Sequence, residues 1–382
     1  MAVVFALHEA SRTGAPRIGA LIARELARNE RVTAVVMKDG PLTPWLAEVL
    51  GPENLLVCRG DEFAFRRPFE ERLEIAEEIL AEEGGDLVYA NSLAASVFAL
   101  AAAKQKRKSI LHVHEKSADM LNLLAHDVTK LETILAADAI VLAAREIGDD
   151  IAEVFGARPR ELLNFGIAVD LEAVRAGARE SAAPPLDARG KPFKPGERLV
   201  VGMCGHASPR KGADIFLETA AAAPQCDFIW IGGWRPEETP DNEVYPDFVK
   251  RALPNVFVTG AVDNPYPYMQ QMDMFFLSSR EDPNPVVIAE ALCLGVPILC
   301  FSGSTAIADR LGRCAILCYG LPNAADAARV IGVCDPQRLR SASFRGASES
   351  FVAEFDLMAK MTMVHELVAR LRGAEAVQAA VA

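Results

Sequence analysis

The sequence predicts an α/β protein of two domains, each built on a doubly wound parallel sheet. Three observations predict it. The chain has 382 residues, more than one ordinary core holds. Short apolar runs alternate with helical segments in two successive series. Between the series lies a stretch, Ala178–Glu197, rich in Pro, Gly and charge and without periodicity, which reads as a linker. The strand candidates are continuous apolar runs, as expected where helices cover both faces of a parallel sheet.

In chain order, the first series of strands is 2–7, 31–37, 87–90, 109–114 and 139–144, with helices at 17–28, 70–83 and 119–136 among those between them. The second is 198–205, 227–233, 256–260, 274–278, 297–301 and 314–318, and a long amphipathic helix closes the chain at 351–371. The expected division is a first domain at 1–180, a linker at 181–197, a second domain at 198–350 and a terminal helix region at 351–382 that either caps the second domain or crosses back to the first.

Composition narrows the function. Hydrophobic content of 51% marks a globular chain, and a net charge of −12 argues against a nucleic-acid binder. The start lacks a basic region, and His8-Glu9 cuts its apolar run short, so no secretory leader is expected. No apolar run approaches the roughly 18 residues of a membrane span. Eight scattered cysteines fit a reducing cytosol, and the lone C-x3-C at Cys314 and Cys318 has no second pair for zinc.

The most informative stretch is Ser278–Phe301. A strand at Met274–Leu277 leads into a Pro-broken turn, and a helix starts near Val286, with Pro285 suited to a first helical position. Asp282 and Glu290 stand eight positions apart. Between them the helix start offers the amides of Val286 and Val287 to an anion, because its first N–H groups are unpaired and its dipole is positive. Carboxylates accept from neutral hydroxyls. A ligand with hydroxyls at both ends and phosphate in the middle, such as a nucleotide-sugar, fits that layout.

The segment resembles the Glu-x7-Glu signature of retaining family-four glycosyltransferases, in the subgroup that reads R-E-D-P-x-P before the helix; Asp282 stands where Glu is commoner, directly after Glu281. The resemblance implies the GT-B fold, two Rossmann-like domains facing a central cleft, with Glu290 on ribose hydroxyls and Asp282 on the donor sugar. The loop of V-G-M-C-G-H-A-S-P-R-K-G (201–212) puts Arg210 and Lys211 just before a helix, where a diphosphate could take both cations. It is similar to the family's G-(R)-x4-K-G segment, with Lys211 at the lysine and His206 at the usual arginine. The opening H-E-A-S-R-T-G-A-P-R (8–17) is not a dinucleotide fingerprint. It resembles the family's glycine loop, with Gly14 as the close-approach residue and Thr13 or Arg17 touching ligand.

His114 and Glu115 end a strand, the edge where open α/β sheets bind ligands. By resemblance His114 faces the donor sugar, with Glu115 a second candidate, while His112 reads as a buried structural histidine. Asn91 and Ser92 are good helix caps in their own right. Asn164, Gly166 and Asp170 resemble an architectural P-N-G-I-D stretch. Backbone around Gly260 and Val262 would suit the edge of a nucleobase. The basic run Lys104, Lys106, Arg107 and Lys108, with Arg66-Arg67 among Phe63, Phe65 and Phe69, suits either an anionic membrane face or a solvated helix end.

The resemblance implies transfer of a hexose-type sugar from a nucleotide-sugar donor to a glycan or lipid-linked acceptor, by a front-face route without cofactor or metal, in cell-envelope or exopolysaccharide synthesis at the cytoplasmic side. Alternatives from the same fold are a nucleotide-sugar epimerase, a sugar phosphorylase or a non-catalytic nucleotide-sugar-binding partner.

Overall fold

The computed structural model describes residues 2–373 apart from 59, 158–160, 283, 284, 306, 336–338 and 340. Seven strands, β1 (Ala2–Leu7), β2 (Arg31–Val36), β3 (Leu55–Val57), β4 (Leu87–Asn91), β5 (Lys108–Val113), β6 (Ala139–Leu142) and β7 (Leu162–Asn164), form one sheet. Its order is β3-β2-β1-β4-β5-β6-β7 and every pairing is parallel. Six more, β8 (Val200–Cys204), β9 (Asp227–Ile231), β10 (Val256–Val258), β11 (Met274–Leu277), β12 (Ile298–Phe301) and β13 (Ala315–Cys318), form a second parallel sheet ordered β10-β9-β8-β11-β12-β13. The central strands are buried along their length, as the uninterrupted apolar runs require.

The chain divides into two compact units, Met1–Ala168 with Met358–Ala382, and Val169–Leu357. This division falls earlier than the expected boundary at 180. Asp170 caps the helix Leu171–Gly177 by accepting from Ala173 N at 2.9 Å, and the carbonyl of Gly177 accepts from Asn264 of the second unit at 2.8 Å. The expected linker at 181–197 is fastened down as well. Leu186 exchanges backbone hydrogen bonds with Val258, and Phe193 is buried edge-on to Phe257 at 5.1 Å. The buried Pro185 and Phe193 give this Pro-rich stretch a packed face, while the Leu186 side chain stays exposed.

Two expected helices are broken. The stretch 119–136 is two helices, Ser117–Ala125 and Leu131–Ala136, parted where Asp127 takes a φ of 55°. The terminal helix is split into Ala342–Val352 and Leu357–Leu371, because Phe355 O and Leu357 N pair with the backbone of Val169 at 2.8 and 2.9 Å instead of continuing a helical ladder. The last of these helices packs on the first unit through ion pairs of Arg370 with Glu161 and of Arg372 with Glu30 and Asp86.

Arg372 is only 11% exposed, and its guanidinium holds Glu30 at 2.8 Å and Asp86 at 2.5 Å. Removing it leaves two carboxylates without their common cation. Arg372→Ala is expected to cost about 1–3 kcal/mol of first-unit stability, read as a lower urea midpoint; an unchanged midpoint would show that the terminal helix is held by its apolar face alone.

Candidate active site

In each sheet the strand order reverses once, between β1 and β4 and between β8 and β11. Loops leaving the carboxyl ends of such neighbours run to opposite sides and open a crevice for ligands. Residues 8–14 follow β1, Asn91 ends β4 and His114 follows β5. Residues 205–212 follow β8, and Ser278–Pro285 follow β11. Most of the sequence-chosen residues therefore lie at or beside the two switch points, whereas Gly260 and Val262 follow β10 at the edge of the second sheet.

In the second unit, Lys211 and Asp282 form an ion pair, and Arg210 Nη1 lies 3.8 Å from the other carboxylate oxygen. Asp282 is buried and its N–H donates to Ser304 O at 2.7 Å, which fixes its backbone. Gly212 has a φ of 67°, and a Cβ there would stand 2.0 Å from the Ser278 carbonyl oxygen, so only glycine fits. The exposed His206 is 3.4 Å from the Thr239 hydroxyl and off the ion-paired cluster. Arg210 is thus a second cation beside Lys211 in the Asp282 cluster.

Pro283 and Asn284 lie outside the described residues. The helix runs Val286–Cys293 with Pro285 as its N-cap, one position earlier than expected for that proline. Val286 and Val287 are half-buried at its start. Glu290, one turn on, is 1% exposed and accepts from the Tyr266 hydroxyl at 2.9 Å. Sequence reasoning passed over Tyr266, whose only cue is an aromatic among prolines.

The expected nucleobase edge is partly taken. Gly232 N donates to Gly260 O at 3.1 Å, and Ala261 N donates to Glu238 at 2.9 Å. Glu238 also accepts from Trp234 N and Arg235 N, at 3.1 and 3.2 Å. Burial would raise its pKa, but these N–H bonds more than offset that and hold it below the usual range. What the loop still offers a base is the half-buried Val262. No periodic signal marks Glu238 in the sequence.

In the first unit, Thr13 precedes the helix Gly14–Ala27 without capping it; its hydroxyl meets Ser11 at 2.8 Å. A Cβ on Gly14 would meet nothing within 4 Å, so the fold itself does not demand glycine there. The tight approaches are at Gly19, against Asn91, and Gly40, against Ala10. Asn91 Nδ2 donates to Ala15 O at 3.0 Å, which leaves Oδ1 to accept from His114 Nε2 at 3.0 Å. His114 then carries its proton on Nε2 and presents Nδ1 as an acceptor. Burial, and next the neighbouring His8, push its pKa down to about 3. His8 itself reaches Asn91 O at 3.3 Å. Glu115 is drawn away from ligand work: it accepts from Ser92, from Leu93 N at 3.1 Å and from His114 N at 3.0 Å. His112 is fully buried and bonded to Tyr89 at 3.0 Å, a structural residue.

Half of the basic run is ion-paired. Lys104 pairs with Glu77, Lys108 with Asp138, and Arg107 donates to Gly84 O. Phe63 and Phe69 belong to the core, and of that trio only Phe65 is exposed. Among the described residues no helix is long and apolar enough to cross a membrane.

Two Rossmann-like units, each with its residues at a switch point, make this a GT-B fold. The family model described as Glycosyl transferases group 1 matches residues 198–332. The chain is 24% identical over 105 residues to the O-antigen biosynthesis glycosyltransferase WclY of Escherichia coli, covering 28% of this chain and 29% of that one. It is 26% identical over 225 residues to D-inositol 3-phosphate glycosyltransferase 1 of Catenulispora acidiphila, covering 54% and 51%. The chain thus spans about half or less of either relative. The structure of Anabaena HepE in complex with UDP superposes with a TM-score of 0.74 at 18% identity, over 97% of this chain and all of that one.

A histidine whose folded pKa lies below its unfolded 6.5 stabilises the fold above that value and loses the contribution as pH falls toward the folded one. From pH 6.5 toward 3, His114 is expected to remove up to about 1.4 kcal/mol per pH unit. His114→Gln should make the acid limb of a stability-against-pH curve shallower by that slope. An unchanged limb would mean that His114 charges freely in the folded protein.

Proposed function

We propose that the protein is a retaining glycosyltransferase that moves a hexose-type sugar from a nucleotide-sugar donor to a glycan or lipid-linked acceptor. The family match over 198–332, the GT-B fold and the relatives' names support glycosyl transfer. One observation carries the finer reading: Lys211 and Arg210 converge on Asp282 at the β8–β11 switch point, beside the helix start at Val286. Two cations and a row of helix-start amides suit a diphosphate.

In the reaction, the bond between the anomeric carbon and the diphosphate oxygen breaks and its electron pair leaves with the phosphate. The acceptor oxygen bonds to the same face of the sugar and passes its proton to the leaving phosphate. Lys211, Arg210 and the N–H groups of Val286 and Val287 stabilise the charge that develops, so that no divalent metal is required. Glu290, steadied by Tyr266, holds ribose hydroxyls; Asp282 and the neutral Nδ1 of His114 accept from sugar hydroxyls. The open space at Gly14 admits ligand against the backbone beside Thr13. HepE binds UDP and UDP-glucose, which favours a nucleotide-sugar donor, and WclY is named for O-antigen biosynthesis, which favours an envelope glycan product.

Thermal stabilisation across a panel of nucleotide-sugars, each beside its free diphosphate, tests the donor class. Selective stabilisation by one donor that is lost in Glu290→Ala supports the reading, and stabilisation by none overturns it. In a transfer assay that follows release of nucleoside diphosphate, Lys211→Ala should lower kcat/KM by the equivalent of about 2–4 kcal/mol. Glu281→Ala should cost less than Asp282→Ala. Near-wild-type turnover in Lys211→Ala would remove the clamp.

A further inference from the structure

Arg280 has so far no task. It stands between β11 and Asp282, yet its guanidinium is engaged on the loop that follows β8. Nη1 donates to Pro209 O and to Asp214 Oδ1, both at 2.7 Å, and Nη2 donates to Asp214 Oδ2 at 2.6 Å. Its own N–H donates to Arg210 O at 2.9 Å. The exchange runs both ways: Arg210 Nη1 donates to Glu281 O and Ser278 Oγ donates to Lys211 O, each at 2.9 Å. Six hydrogen bonds, two of them making the Arg280–Asp214 ion pair, thus cross between the segments that carry Lys211 and Asp282.

The pair is not kept for stability. Arg280 and Asp214 are 45% and 37% exposed, and surface ion pairs contribute about 0–1 kcal/mol. What a planar two-point fork adds is geometry, since it fixes both the distance and the tilt of its partner. Both oxygens of Asp214 accept from the two terminal nitrogens of Arg280, so each side chain meets the other's charge.

We propose that Arg280 and Asp214 are positioning residues, whose bidentate pair sets the loop bearing Arg210 and Lys211 at the depth where both cations reach a diphosphate. The inference rests on the reading of those two cations as a diphosphate clamp. It assigns affinity for phosphate, not for the nucleoside, to a contact that touches neither.

The test uses the full chain, whichever of UDP, GDP and ADP stabilises it most, and the matching nucleoside, with binding followed by calorimetry or NMR titration. Arg280→Met and Asp214→Asn should each weaken diphosphate binding about tenfold, and the double variant no further, because the two act as one unit. Arg280→Lys keeps the charge without the fork and should not restore affinity. Nucleoside affinity should hold within about twofold and Tm within a few degrees. Wild-type diphosphate affinity in both single variants overturns the inference, and so does an equal loss of nucleoside and diphosphate. Losses that multiply in the double variant would make Arg280 a direct phosphate ligand and overturn it too. Should Arg280→Met not fold, Asp214→Asn alone decides. A wild-type protein that binds diphosphate no tighter than nucleoside would sink the clamp reading itself, and with it this one.

Discussion

The chemistry of the second unit hangs on the approach of one glycine to one carbonyl. Neighbouring strands lie about 4.8 Å apart, and the loops leaving β8 and β11 begin at that separation. A side chain between them would spread them, and Lys211 would no longer reach Asp282. Gly212, with its φ of 67° and the Ser278 oxygen where a Cβ would be, keeps them closed. The hydrogen bonds from Ser278 to Lys211 O and from Arg280 N to Arg210 O are possible only at that spacing.

The two switch points are electrically unlike. The second gathers two cations and a carboxylate beside a helix start, a place suited to phosphate. The first gathers imidazoles around an amide, and burial keeps His114 neutral well below physiological pH. A neutral imidazole can accept from a hydroxyl and costs little to desolvate, whereas an imidazolium has no lone pair to accept with and would attract whatever anion is near. The division follows from local sequence: apolar strand residues flank His112 and His114, while a polar loop carries Arg210 and Lys211.

Much of this was legible in the sequence because parallel strands are apolar throughout. The long runs at Ala2–Leu7, Asp227–Ile231 and Met274–Leu277 leave no other reading, and the helix at Val286 follows from its proline. The three-residue edge strands Leu55–Val57 and Leu162–Asn164 were missed, since three residues, none of them buried, carry no periodicity. Breaks within helices depend on tertiary partners, Val169 for the terminal one, which no local pattern reveals. The site divides likewise. Lys211, Asp282 and His114 are visible as charged or aromatic residues at strand ends, but Glu238, Tyr266 and Arg280 act by reaching across to other strands' loops. At Gly14 the space is open, so the fold alone gives no reason for a glycine there.

Asp282 is first of all a counter-charge. Arg210 and Lys211 are consecutive cations on a short loop, and holding them side by side is unfavourable unless a counter-charge is near. Asp282 supplies it, touching Lys211 directly and standing 3.8 Å from Arg210. Its backbone is tied to Ser304, so side-chain length decides where the carboxylate sits. The longer Glu, commoner at this position in the resembling family, would carry the charge about one bond further from the backbone; Asp retracts it onto the lysine. A diphosphate entering this site therefore meets cations already partly satisfied, and the gain on binding is the difference between two anions competing for them. On the proposed reading of the site, the shorter acid would trade some diphosphate affinity for a loop that holds its shape.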